Sequence, residues 1–166
     1  MAYGTNEGFQ EWLSAQGLSL PDDAPSPDVL RQLGSAYVDS AYEYRLQCSR
    51  RTGGFEQENA WPRTGHYVNG QLLPSDLIPT AWIYASYRAA YLNAITPGWS
   101  TAQVTPGRVT KRERVDTIER EFFDQSQAGG GADSAPGFPS DATINGLVLP
   151  FLCAKGRSAN SLFRVV

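Results

Sequence analysis

Apolar residues recur at spacings of three and four in several stretches of this chain, and residues that start or stop helices bound each stretch. Phe9, Trp12 and Leu13 share one face of a helix predicted over 6–16, capped by Thr5 or Asn6 and ended by Gly17. A second helix starts cleanly, with Ser26 as N-cap, Pro27 at the first helical position and Asp28 at the positive end of the dipole. Its stripe of Leu30, Leu33, Tyr37, Ala41 and Tyr44 predicts continuation to about residue 47. A third helix is predicted over 79–94. Trp82, Ala85, Ala89 and Leu92 form one face, and Ile83, Tyr87, Ala90 and Tyr91 another. A helix apolar on two sides is buried on two sides, either as the centre of a bundle or partly against a second subunit.

The polar intervals carry as much information. Residues 50–65 form a long glycine-rich loop with Arg50, Arg51 and Arg63, and with Trp61 directly before Pro62. Tryptophan carries too much apolar area to leave in water, and proline restricts the residue before it. Trp61 and Pro62 are therefore expected to anchor the loop and present its arginines on either side. Residues 66–73 predict a small turn built on Asn69-Gly70. His66, the single histidine, is read as structural.

Residues 106–123 predict a two-stranded hairpin turning near Asp116-Thr117, dense in both charge signs and including Lys111, Arg112 and Arg114. A lone hairpin is marginal in water, so this one is expected to lie on the helices or on another copy. Residues 124–139, with Gly129-Gly130-Gly131, have linker composition. Ser140 is expected to cap a last short helix carrying Ile144, Leu147, Val148, Phe151 and Leu152, kinked or ended by Pro150. Residues 155–161 read as tether. Leu162, Phe163, Arg164, Val165 and Val166 then read either as a frayed end or as a docking peptide. The organisation expected is a body over 1–123, a linker over 124–139 and a C-terminal helix with tail over 140–166.

Composition narrows the function. The net charge of −3 argues against a surface wrapped in nucleic acid and leaves room only for local basic patches. Charged residues make up 19% and hydrophobic ones 41%, both low, which suits a small core or a subunit that completes its burial against neighbours. Cys48 and Cys153 match no metal or redox spacing and are expected as two reduced small hydrophobes in a cytosolic protein. The N-terminus carries no secretory pattern, and no window is long and apolar enough for a membrane span. There is no G-x-S-x-G elbow, no phosphate loop with its lysine and no metal-ligand cluster, so no catalytic, cofactor or metal residue is assigned and no enzyme is expected.

Several motifs taken together carry a resemblance: Arg50-Arg51-Thr52-Gly53-Gly54, Ala60-Trp61-Pro62-Arg63-Thr64-Gly65, the Ile-Pro-started Ala/Tyr-rich helix, the run from Pro106-Gly107-Arg108-Val109 through Lys111-Arg112-Glu113-Arg114-Val115, and the C-terminal Gly-Leu-Val-Leu-Pro-Phe-Leu. Over about residues 3–153 the chain resembles the tailed-phage proteins often labelled DnaT-like single-stranded-DNA-binding proteins. It is similar in organisation to head–tail adaptors, also called connector or head-completion proteins. The resemblance implies a mainly α fold: a small helical bundle with an inserted β-hairpin and an extended C-terminal arm. It also implies a virion component made in the host cytoplasm, a homo-oligomeric ring typically of twelve copies under the portal protein. That ring would extend the channel for double-stranded DNA and form the platform for a distal tail or stopper protein. Arg50, Arg51, Arg63, Lys111, Arg112 and Arg114 are the candidate channel-facing residues, and Leu162, Phe163, Arg164, Val165 and Val166 the candidate portal-docking ones. The DnaT-like label implies a competing role on single-stranded DNA.

Overall fold

A computed structural model of the chain describes residues 1–102, 113–115, 118–120 and 137–154, the two three-residue stretches by backbone alone. Lys111, Arg112, most of the linker and the tail over 155–166 lie outside the described residues. The fold is mainly α, with three short antiparallel strand pairs among the described residues.

Helix α1 (Asn6–Ala15) starts where expected. Thr5 is extended, and its side chain accepts a hydrogen bond from the Gly8 amide. Gly17 follows at a φ of +66°, a left-handed conformation that glycine adopts without steric cost. Helix α2 (Pro27–Tyr42) places Ser26 at its N-cap position, but the serine side chain makes no capping bond.

The predicted extension of α2 to residue 47 does not hold. The helix tightens into a 3-10 turn at Glu43–Arg45, and Leu46 turns into the core. The predicted stripe shifts as well. Leu33 and Tyr44 are 38% and 44% exposed, while Leu30, Gly34, Tyr37, Val38 and Ala41 face inward. Close packing on α3 causes the shift. Gly34 brings the two backbones so near that a Cβ there would overlap the Ser86 carbonyl oxygen and lie 2.8 Å from the Ala90 nitrogen.

Helix α3 (Thr80–Ile95) is the centre of the bundle. One side, with Trp82, Ala85 and Ala89, joins a core formed with Tyr3, Tyr37, Ala41, Trp61 and the C-terminal helix. The other, with Tyr87, Ala90 and Ala94, joins Phe9, Trp12, Leu13 and Leu30. Both apolar faces are thus covered within one chain. Burying each large apolar side chain contributes about 1.5–3 kcal/mol.

Helix α4 (Ala142–Val148) packs on α3 through Ile144 and Val148. Its cap is Asp141, one residue after the predicted Ser140. The Asp141 carboxylate accepts from the Ile144 amide and pairs with Arg88 at 3.1 Å. Pro150 falls in a 3-10 turn, Leu149–Phe151, that ends the helix.

Strands β1 (Arg50–Arg51) and β2 (Arg63–Thr64) close the arginine loop. Strands β3 (Tyr67–Val68) and β4 (Gln71–Leu72) form the small turn, with Asn69 and Gly70 at φ of 51° and 79°. Strands β5 (Glu113–Val115) and β6 (Ile118–Arg120) are antiparallel and pair Val115 with Ile118, while the predicted turn at Asp116-Thr117 lies outside the described residues.

The expectation of two separate, reduced cysteines does not hold. The fold returns Cys153 to the turn just before residue 50, where it is disulfide-bonded to Cys48 with a Cα–Cα distance of 5.8 Å. Residues 105 positions apart cannot announce this in sequence.

Candidate functional site: the arginine loop

The loop between α2 and α3 is pinned at Trp61, whose indole is buried edge-on against Trp82, His66 and Phe151 at centroid distances of 5.9, 4.9 and 6.1 Å. The Trp61–Pro62 bond is cis. Two polar networks surround this anchor, and both start from carboxylates on or just after α2.

Asp39 organises the first. Its carboxylate accepts from the Tyr3 hydroxyl at 2.8 and 2.9 Å, from the Ala60 amide at 2.8 Å and from the Trp82 indole at 3.1 Å. It therefore ties the N-terminal segment, the loop and α3 to one point on α2. Burial pushes its pKa up, and these hydrogen bonds hold the rise back. Tyr3 is pushed up too, first by burial and then by the Asp39 charge.

Glu43 organises the second. Arg51 forks onto it with both bonds at 2.6 Å, and Arg63 adds a 3.4 Å contact. The hydrogen bonds from Arg51 hold the Glu43 carboxyl below its ordinary value against the opposing effect of burial. Arg51 also donates to the Gln57 carbonyl. Arg63 is buried. Its guanidinium donates to the carbonyls of Ala60, Leu46 and Ser49 at 3.0, 3.0 and 2.7 Å and to Ser49 Oγ at 2.8 Å. Burial lowers its pKa, but an arginine remains a cation.

These positions decide what the sequence-predicted cations can do. Arg63 is buried with its guanidinium committed to bonds inside the protein, and Arg51 is held by Glu43 and the Gln57 carbonyl. Arg50 occupies an exposed position on β1, with its backbone paired to Thr64. The β5 backbone places Arg114 opposite Glu119.

His66 is 1% exposed, and its Nδ1 lies 2.8 Å from Ser49 Oγ. Burial lowers its pKa, which favours the neutral ring. Its Nε2 has no hydrogen-bond partner, although the nearby Phe151 carbonyl favours protonation. The contact ties the partly buried Ser49 to the buried His66 ring and so joins the two ends of the loop.

Two of the clefts among the described residues bear on what the surface can bind. One of about 530 Å³ is lined by Met1, Gln32, Ser35, Asp39, Glu43, Arg51 and Glu58. Its three carboxylates outnumber its cations, the wrong field for a nucleic-acid backbone. The other, about 430 Å³, lies between α1 and α3 and is aromatic, with Trp12, Ile83, Tyr84 and Tyr87; the one charge in its lining is Glu11. Among the described residues no cluster of His, Cys, Asp or Glu could hold a metal ion, and no helix is long and apolar enough to cross a membrane.

Sequence reasoning named the arginines and missed Asp39, Glu43 and Ser49, the groups that hold them. The one available signal was an aspartate set within the apolar stripe of α2.

No curated protein and no solved structure matches the chain. A family model does match, over residues 2–166. The chain belongs to the family described as "Putative DnaT-like ssDNA binding protein".

Proposed function

We propose that this chain is a non-enzymatic structural subunit of a tailed-phage head–tail junction. In this reading copies close into a ring under the portal protein, extend the channel through which double-stranded DNA passes and carry a distal tail or stopper protein. The observation that carries the reading is the internal use of the loop's cations. Arg51 and Arg63 are engaged by Glu43 and by backbone carbonyls, while large apolar side chains face outward. Phe55 is 91% exposed at the loop tip, and Tyr67, Leu72 and Tyr84 are exposed as well. That surface suits contact with protein more than contact with phosphates. The resemblance of the sequence to head–tail adaptors adds to it.

Mixing the full chain with portal protein and imaging the product tests the proposal. A closed ring seated on the portal is expected, and a chain that stays monomeric with portal present would reject it. Removing residues 155–166 is expected to abolish portal binding while the fold persists. Unchanged binding would remove the docking role of Leu162, Phe163, Arg164, Val165 and Val166.

A second reading, binding of single-stranded DNA, is favoured by the description of the family itself. It requires tight affinity that falls steeply with salt, carried by exposed cations such as Arg50 and by Lys111, Arg112 and Arg114. A titration with an oligonucleotide at two salt concentrations separates the readings. A channel subunit binds weakly, since DNA has to slide past it.

A further inference from the structure

We propose that Cys48 and Cys153 form a reversible redox site that latches the C-terminal segment onto the turn at the start of the arginine loop, with a low-molecular-weight thiol and its disulfide as co-reactants. This does not depend on either functional reading.

Non-covalent contacts bring the two cysteines together. The Cys153 amide donates to the Arg45 carbonyl at 2.9 Å, and the Arg45 guanidinium returns a bond to the Cys153 carbonyl at 3.0 Å. Just upstream, Phe151 packs on the buried Trp61. The reduced chain thus holds its thiols in place before any bond forms, across a 105-residue separation.

The surroundings suit exchange. Cys48 is exposed, so a small thiol or disulfide can reach it. The Cys48 amide donates to Cys153 Sγ at 3.0 Å, and the Arg45 guanidinium holds the carbonyl of the same residue. These are the only two cysteines in the sequence, so no other thiol of the chain competes.

Closing the latch takes two exchanges. The Cys48 thiolate attacks one sulfur of a small disulfide, forming a mixed disulfide and releasing one small thiolate. The Cys153 thiolate then attacks Cys48 Sγ and releases the second. The protein loses two hydrogens, the small disulfide is reduced to two thiols, and the two protons leave with them. A small thiol reverses both steps. In a reducing cytosol the segment is held by non-covalent contacts such as those of Arg45 and Phe151. After oxidation it is tethered covalently at Cys153.

The test equilibrates the full chain, without oxygen, in glutathione buffers from fully reduced to fully oxidised. Thiols are then trapped with an alkylating agent, and intact mass, thermal unfolding and hydrogen exchange over 142–154 are recorded. The expected result is one two-electron transition from two trapped thiols to none. The oxidised form should unfold about 10 °C higher, because the closed loop is long, and exchange near 149–154 should slow at least about tenfold. The double variant Cys48→Ser, Cys153→Ser should match the reduced chain and ignore the buffer. If that variant does not fold, the reduced wild-type chain supplies the same comparison. Two alkylated thiols in fully oxidised buffer, or identical unfolding and exchange in both states, would overturn the proposal.

Discussion

Gly34 on α2 lies directly against the Ser86 carbonyl of α3, with no room for a side chain between them. The bundle is built on this contact, since α2 and α3 share the largest interface between elements. Exposed glycines inside helices usually gain about 0.5–1 kcal/mol on replacement by alanine. Gly34→Ala is expected to do the reverse and cost at least about 2 kcal/mol through overpacking. Gly146 in α4 is the control, because a Cβ added there would meet no atom within 4 Å. Gly146→Ala should stabilise by about 0.5–1 kcal/mol. Urea unfolding of both variants checks the pair.

Asp39 is the point where Tyr3, Ala60 and Trp82 converge. Asp39→Ala would leave a hydroxyl, an amide and an indole N–H without their acceptor. Each unsatisfied buried donor costs about 1–3 kcal/mol. A loss of about 3 kcal/mol or more is expected, together with faster proteolysis at the N-terminal segment. A loss below about 1 kcal/mol would show that water replaces the carboxylate without penalty.

Arg63→Lys is expected to behave as a core mutation, because an ammonium cannot reproduce a fork serving three carbonyls and a hydroxyl. Removing one partner of such a buried network costs about 3–5 kcal/mol. Arg50→Ala, in an exposed position, should stay within about 0.5 kcal/mol of the parent. Thermal unfolding distinguishes the two. Any oligonucleotide affinity lost in Arg50→Ala then reports contact with the nucleic acid and not damage to the fold.

Acid should weaken the loop through Glu43. Its folded pKa is depressed below the ordinary 4.5, so its contribution is fully present above that value and is lost as pH falls through the folded one. Asp39 runs the other way. Its folded pKa is raised above 3.8, so its contribution is greatest below that value and fades as pH rises through the folded one. Glu43→Gln should therefore flatten the decline of stability on the acid side of pH 4.5. Urea midpoints across that range test it, and an unchanged slope would place the acid sensitivity elsewhere.

Phe55 stands 91% exposed on a loop tip fixed by Gln57, whose side chain accepts from the Gly53 amide at 2.8 Å and donates to the Asn59 and Pro62 carbonyls. Phe55→Ser should leave the stability of the isolated chain within about 0.5 kcal/mol. If the proposed ring uses this tip, the substitution should weaken self-association at least about tenfold by analytical ultracentrifugation with portal present.

Local chemistry was enough to place the helices and turns. Thr5 and Pro27 mark helix starts and Gly17 a helix end, and the Asn69-Gly70 turn was legible because a cap or a turn depends on a few neighbouring residues. The burial of α3 on two sides was legible for the same reason, since its apolar residues leave no polar face. The sequence could not reveal that Gly34 rather than Leu33 faces α3, that Asp141 rather than Ser140 caps α4, or that Arg51 and Arg63 belong to Glu43. Nor could it reveal that Cys48 meets Cys153. Each of these depends on how closely two distant segments approach. Only the packed chain sets those distances, and with them which charges are neutralised inside and which side chains remain for a partner.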